Sequence, residues 1–221
     1  MSATFHLGFV LVFLSFTAIR AYYHKKAGQS RGPSEYKEGR LHTALRLIVG
    51  IPFMLSLLVY MLRPEWFAWA ALSLPVSCLA CRQAGEGAQW LGLILGISSL
   101  PLILWVQAAL GSNFSTTLLV RQEHTLVTQG PYRWVRHPMY TVLFVHLVAL
   151  LLLSANWFIG GVPLLAFALI VATRLNNEER AMAEKFGPVY QDYMRRTGRF
   201  LPRMKAIDIR SYAVQEKIGG V

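Results

Sequence analysis

Two polar stretches carry most of the side chains able to do chemistry. The first runs Arg121-Gln122-Glu123-His124-Thr125-Leu126-Val127-Thr128-Gln129-Gly130-Pro131-Tyr132-Arg133-Trp134-Val135-Arg136-His137-Pro138-Met139-Tyr140. The second runs from Arg174 through Glu178, Glu179 and Arg180 to Phe186-Gly187-Pro188-Val189-Tyr190 and Arg195-Arg196-Thr197-Gly198-Arg199-Phe200. Gly130-Pro131 predicts a turn, since Pro fixes φ and Gly permits unusual backbone angles. Pro138 suits the first turn of a helix, where its missing N–H costs nothing. Arg136-His137 is therefore expected at a helix N-terminus, where backbone N–H groups and the helix dipole favour an anion such as a carboxylate. Tyr140 projects from that first turn. Arg174 and Glu178 are four apart and share one face of a helix. Each feature has a plain alternative. Arg136 and His137 can contact lipid phosphates, and Arg174 with Glu178 can be a surface ion pair worth well under ~1 kcal/mol. Their placement at the two ends of one uncharged run, residues 139–173, weighs against those alternatives.

The elements that position them are membrane helices. Of the 221 residues 54% are hydrophobic and only 15% charged, and the mean hydropathy is +0.40. The charges are swept out of long blocks: 3–19, 47–62, 87–120 and 139–173 contain no Asp, Glu, Lys or Arg. Uncharged apolar runs of roughly 17–25 residues are what a helix needs to cross the hydrocarbon layer. Lipid offers no partner to unpaired backbone groups, so helices are the expected form. In the first block the basic cluster Arg20, Lys25, Lys26 follows the apolar run. That order fits a retained first helix with its N-terminus outside better than a signal peptide.

Six stretches are apolar enough to consider: 3–19, 45–62, 66–81, 90–110, 139–155 and 157–173. Basic residues decide among them. Six Lys and Arg lie in 20–44 and ten in 174–221, and both regions are expected on the cytosolic side. An odd number of crossings puts them together. The weakest stretch, 66–81, has Pro75 in its middle, and its Trp66 and Trp69 suit an interfacial position. It is read as a membrane-surface or re-entrant segment. The expected fold is all-α: about five transmembrane helices, N-terminus outside and C-terminus cytosolic, followed by a cytosolic C-terminal helical segment. The last two crossings form a hairpin that divides at Ser154-Ala155-Asn156. The membrane would be the inner membrane of a bacterium or the endoplasmic reticulum of a eukaryote. The domain reading is 1–110 for the first three crossings with the interfacial segment, 111–202 for the chemical core and 203–221 for a tail.

The net charge of +11 is read as the positive-inside bias plus attraction to anionic headgroups, not as a nucleic-acid footprint. Cys78 and Cys81 form an isolated C-x-x-C without the second pair of ligands a zinc site needs, so no metal is expected. His146, His6 and Gln107 lie within apolar runs. Intramembrane polar residues invite a functional reading, but a bond to a neighbouring helix serves equally well. Ser112, Asn113 and Ser115 are candidates for a cap or a cavity mouth. Gly96 and Pro101 are read as ordinary residues of a membrane helix, more than as a kink.

The run Gly111-Ser112-Asn113-Phe114-Ser115, His124-Thr125-Leu126-Val127, Gly130-Pro131-Tyr132 and Arg136-His137-Pro138-Met139-Tyr140 resembles the isoprenylcysteine carboxyl methyltransferase family. The tail Glu178-Glu179, Phe186-Gly187, Tyr190 and Tyr193 does so too, giving coverage of roughly 111–202. Arg-His-Pro-x-Tyr alone is shared with phospholipid methyltransferases and sterol reductases. The resemblance implies S-adenosylmethionine as cofactor. By position its contacts would be His124, Thr125, Leu126, Val127, Tyr132, His137, Pro138, Met139, Tyr140 and Glu178. Arg174 matches the arginine implicated in binding and orienting the acceptor. The implied partners are membrane lipids and a lipophilic or prenylated acceptor methylated on its carboxylate. Val142 stands where the family often has Gly, which leaves the acceptor more open than the cofactor. Two other functions stay open: a sterol-reductase-like oxidoreductase using NADPH, and a non-catalytic lipid-binding protein. The sequence is silent on oligomeric state.

Overall fold

The computed structural model describes residues 2–29, 53–72, 79–111 and 126–203. Five apolar helices stand in these segments: α1 (Ala3–Gln29), α2 (Phe53–Leu62), α3 (Leu79–Leu110), α4 (Pro138–Ser154) and α5 (Val162–Arg196). Among the described residues α1, α3 and the helix running through α5 are long and apolar enough to cross a membrane by length and composition, whereas α2 and α4 are shorter apolar helices.

The buried and exposed faces show why apolar blocks become these elements. On α1, Phe5, Phe9, Val12 and Phe16 are buried, at spacings that stack them on one helical face. Leu7, Leu11 and Leu14 on the other side are exposed. An exposed leucine face costs nothing in hydrocarbon, so α1 needs no polar side. Where association gains little from excluding water, small residues let backbones approach. A Cβ on Gly92 of α3 would sit 2.9 Å from the backbone N of Leu153 and 2.8 Å from Leu152 Cβ, so α3 and α4 touch along their backbones. Gly96 admits Val12 of α1 in the same way, and α3 runs on through Pro101. The two thus act as a packing contact and an ordinary membrane-helix proline.

The α4–α5 hairpin turns where the sequence divides it. Ala155 adopts the left-handed conformation (φ 44°, ψ 41°) and its N–H bonds back to Leu151 O at 2.9 Å. Asn156 Oδ1 accepts from the N–H groups of Phe158 and Ile159, both at 3.0 Å, while its amide donates to Phe67 O at 2.9 Å. A π-turn, Trp157–Gly161, then leads into α5. Gly160 presses onto α4 so closely that a Cβ there would lie 2.3 Å from Leu151 Cα.

The stretch 66–81 is not one unit. Pro64–Ala70 forms a 3₁₀ turn over the hairpin tip, tied by Leu72 N–H to Ala155 O at 2.7 Å, and residues 79–81 already belong to α3. Trp66 and Trp69 point outward, 67% and 63% exposed, as interfacial rings should. Cys78 and Pro75 lie outside the described residues.

The returning helix does not stop at residue 173. It continues through Arg174 and the acidic pair to a break at Gly187 (φ 55°, ψ −132°), after which Pro188 restarts it. A positive φ suits glycine and a first-turn position suits proline. Val142 is 5% exposed and packs in a cluster with Phe16, Ile103, Val106 and Tyr132. Its bulk therefore serves helix packing.

Two substitutions test the hairpin through thermal unfolding in detergent. Ala155→Gly relieves the left-handed strain and should stabilise by up to about 1 kcal/mol. Gly160→Ala should destabilise by about 1–3 kcal/mol through overpacking against Leu151.

Candidate active site

The hairpin brings the two polar stretches together. A cavity of about 270 Å³ is lined by Arg20, Leu110, Tyr132, Arg136, His137, Met139, Tyr140, Leu143, Arg174 and Glu178. Glu178 is its acidic centre. One carboxylate oxygen accepts from Tyr140 Oη at 2.8 Å and the other from Arg174 Nε at 3.0 Å. Their side chains remain 22% and 23% exposed, so the pair can exchange partners with a ligand.

Glu179, one residue on, points elsewhere because consecutive residues stand roughly 100° apart around a helix. It is buried and engages Arg136 Nε (3.1 Å), Arg199 Nη2 (2.7 Å) and His137 Nε2 (3.4 Å). Burial alone would raise its carboxyl, but the hydrogen bonds from Arg199 and Arg136 outweigh that and hold it below the ordinary value. Arg136 also donates through Nη1 to Met194 O and Thr197 O, so it caps the last carbonyls of α5. A short parallel contact completes the clamp: Arg136 N–H to Gly198 O (2.8 Å), His137 N–H to Arg199 O (3.0 Å) and Gly198 N–H to Trp134 O (3.1 Å). Tyr193 Oη donates to Tyr132 O at 2.6 Å.

This differs from the anion site expected at the start of α4. The N–H groups of Arg136 and His137 are spent on the 198–199 carbonyls, and that of Tyr140 on His137 O. Arg136 itself is spent on Glu179. The region is a structural joint whose open side faces the cavity. His137 is pushed below its ordinary value by burial, which outweighs the pull of Glu178 and Glu179. A neutral imidazole donating from Nε2 to Glu179 keeps a lone pair on Nδ1, which stands 4.0 Å from Glu178 Oε2.

Of the residues expected at the site, Tyr132, His137, Met139, Tyr140, Arg174 and Glu178 line the cavity. Pro138 is buried in the first turn behind it, and Val127 packs against the adjoining apolar cluster. Leu126 is half-buried. His124, Thr125, Ser112, Asn113 and Ser115 lie outside the described residues. His146 is not in the cavity: it bonds Ser99 Oγ of α3 through Nδ1 at 3.1 Å and stacks on Phe16. His6 similarly meets Met61 O at 3.0 Å. Gln107 is fully buried, with both amide atoms unpaired among the described residues. Sequence reasoning missed Leu110 and Leu143 as walls, Glu179 and Arg199 as supports, and Arg20 as a lining residue. Helical phase is the signal that separates Glu179 from Glu178.

The model of the isoprenylcysteine carboxyl methyltransferase family matches residues 90–184, a segment that contains α4, the hairpin turn and α5 as far as Glu184, and every cavity-lining residue except Arg20. Over this segment the chain is similar to that family. Among relatives of this methyltransferase-family segment, a nickel-cobalt-cadmium resistance protein of Alcaligenes xylosoxydans xylosoxydans is 37% identical over 84 residues, 38% of this chain and 39% of that protein. Protein-S-isoprenylcysteine O-methyltransferase of Mus musculus is 33% identical over 101 residues, 45% of this chain and 36% of the mouse protein. The matched part thus spans well under half the length of these curated relatives. The solved structure of a eukaryotic intramembrane Ras methyltransferase of the same family superposes with a TM-score of 0.51 at 20% identity, covering 88% of this chain and 67% of that one. The fold is therefore like that of this intramembrane methyltransferase over most of the chain.

The two adjacent glutamates should separate in experiment. Glu179→Ala strips a buried ion pair of one partner and should cost about 3–5 kcal/mol in detergent unfolding. Glu178→Ala removes a partly exposed pair and should cost about 1 kcal/mol or less.

Proposed function

We propose that this protein is an S-adenosylmethionine-dependent methyltransferase of the membrane, acting on the carboxylate of a lipophilic acceptor such as a prenylcysteine. The observation that carries this reading is the Glu178 carboxylate, held at the cavity wall between the Tyr140 hydroxyl and the Arg174 guanidinium within the family segment. The mouse relative's name, an isoprenylcysteine O-methyltransferase, supports the acceptor class.

The donor set fits the cofactor. Its methionine part carries an ammonium, and Glu178 Oε2 with the His137 Nδ1 lone pair offers two acceptors 4.0 Å apart. This position suits His137 better to the ammonium than to the carboxylate. Met139 and Tyr140 wall the same space, and His124, Thr125, Leu126 and Val127 complete the cofactor segment by family position. The chemistry supplied by the bound cofactor is an activated methyl group. Arg174 then has one task. An acceptor carboxylate is ionised at neutral pH and needs no strong base. It needs orientation, which a planar, permanently charged guanidinium provides. Arg174 engages Glu178 through Nε, and a guanidinium carries five N–H donors in a planar fork that matches a carboxylate. Leu110, Met139 and Leu143 keep that wall apolar and exclude water, and catalysis rests on positioning.

On this reading all five apolar helices cross the membrane, with the N-terminus outside and the cavity mouth on the cytosolic side, where 20–44 and 174–221 concentrate their basic residues. A C-terminal tag in sealed vesicles of known sidedness should be cleaved by protease only from the cytosolic face. Cleavage from the opposite face alone would reverse the orientation.

Binding and turnover test the chemistry. Glu178→Ala should weaken S-adenosylmethionine binding by roughly ten- to hundredfold, as loss of a charge-assisted hydrogen bond does. Arg174→Ala should keep cofactor affinity within a few fold and lose methyl transfer to N-acetyl-S-farnesylcysteine. Unchanged cofactor affinity in the first variant, or unchanged transfer in the second, would remove that residue from its role.

A further inference from the structure

The cavity wall contributed by α1 lies outside the family match, which begins at residue 90. That wall is Arg20. Arg20 follows the charge-free run of α1 and stands one turn beyond Phe16, whose ring stacks on His146 in the apolar layer beneath the cavity. Three arginines line the space. Arg136 is matched by Glu179 and Arg174 by Glu178. Arg20 is half-buried and has no ion pair or hydrogen bond among the described residues. Its guanidinium cannot discharge itself by losing a proton. A cation unmatched among the described residues, beside the apolar side chains of Leu110, Met139 and Leu143, makes that side of the cavity complementary to an anionic head joined to an apolar body.

We propose that Arg20 is an anion-binding residue of the cavity, receiving the carboxylate of a bound ligand and so selecting a carboxylate-bearing molecule over a neutral or amine-bearing one. The inference rests on the methyltransferase reading for the two sources of that carboxylate, the lipophilic acceptor and the methionine part of the cofactor. The apolar wall favours the acceptor. Arg20 would then grip the head from α1 while Arg174 orients it from α5. A lipid amine would meet repulsion at the same place.

Three probes on the full chain in detergent or nanodiscs decide it: N-acetyl-S-farnesylcysteine, its neutral carboxamide, and S-adenosylmethionine. The wild type should bind the carboxylate more tightly than the carboxamide. Arg20→Gln should bind the carboxylate roughly ten- to hundredfold more weakly and leave the carboxamide within about twofold, erasing the preference. Arg20→Lys should keep part of it. A folding defect would weaken both lipids together, so the difference between them reads the charge alone. If Arg20→Gln lowers S-adenosylmethionine affinity and spares the lipid preference, the carboxylate received is the cofactor's. If neither arm changes, Arg20 is a lipid-facing arginine and the proposal falls while the methyltransferase reading stands. If the wild type fails to bind S-adenosylmethionine but shows an Arg20-dependent carboxylate preference, the anion site stands and the methyltransferase reading falls. Absence of any preference in the wild type, with cofactor binding unaffected by Arg20→Gln, also overturns the proposal.

Discussion

The buried ion pair between Arg136 and Glu179 is the constraint on which the site depends. Arg136 leads into α4 and Glu179 sits within α5, so one 3.1 Å contact locks the base of the hairpin at the end opposite its turn. A buried carboxylate is tolerable only when its lone pairs are satisfied, and Arg199 and His137 supply the remaining partners. Arg136 in turn donates through Nη1 to the carbonyls that end α5. The cluster thus satisfies a helix terminus, a buried charge and a chain crossing together. His137 and Tyr140 take their positions from this joint and reach the cavity because the joint fixes the backbone behind them.

The division between support and chemistry runs through adjacent residues. Arg136 and Glu179 are bound to each other in the joint, whereas Glu178 is turned to the space beside it. His137 belongs to both, with Nε2 toward Glu179 and Nδ1 toward Glu178. Such a histidine transmits the rigidity of the joint to the cavity-facing carboxylate. Neutrality serves that task, since an imidazole with one donor and one acceptor can address two neighbours differently.

Much of this was legible in the sequence because membrane helices announce themselves by what they lack. Charge-free runs located the apolar helices, Pro138 marked the start of α4, and Ser154-Ala155-Asn156 marked the turn. The meeting of Tyr140, Arg174 and Glu178 followed from the hairpin. Other features were hidden for physical reasons. The expectation of an anion at the start of α4 counted N–H groups as open without knowing that 198–199 would return to take them. That return depends on the break at Gly187-Pro188, whose direction no local pattern states. The 66–81 stretch misled as a unit because the 3₁₀ turn and the start of α3 are both apolar. Arg20 was counted with the basic flank of a helix, since topology rules weigh charges by side and say nothing of which groove a side chain enters.

The unbroken part of α5 has a mechanical consequence. From Val162 to Phe186 it runs without a break in helical geometry, about 37 Å at 1.5 Å per residue. Its apolar part and its cavity-facing carboxylate are one rod. A bilayer thicker or thinner than the apolar length is accommodated by tilt, and tilt of this rod would carry Arg174 and Glu178 together. Their mutual spacing is protected by sharing a helix, while their distance from Tyr140 on α4 is not. The Arg136–Glu179 joint sits beside that point and would act as the pivot of such a tilt, so lipid composition would be felt at the cavity as a change in its width more than in its chemistry.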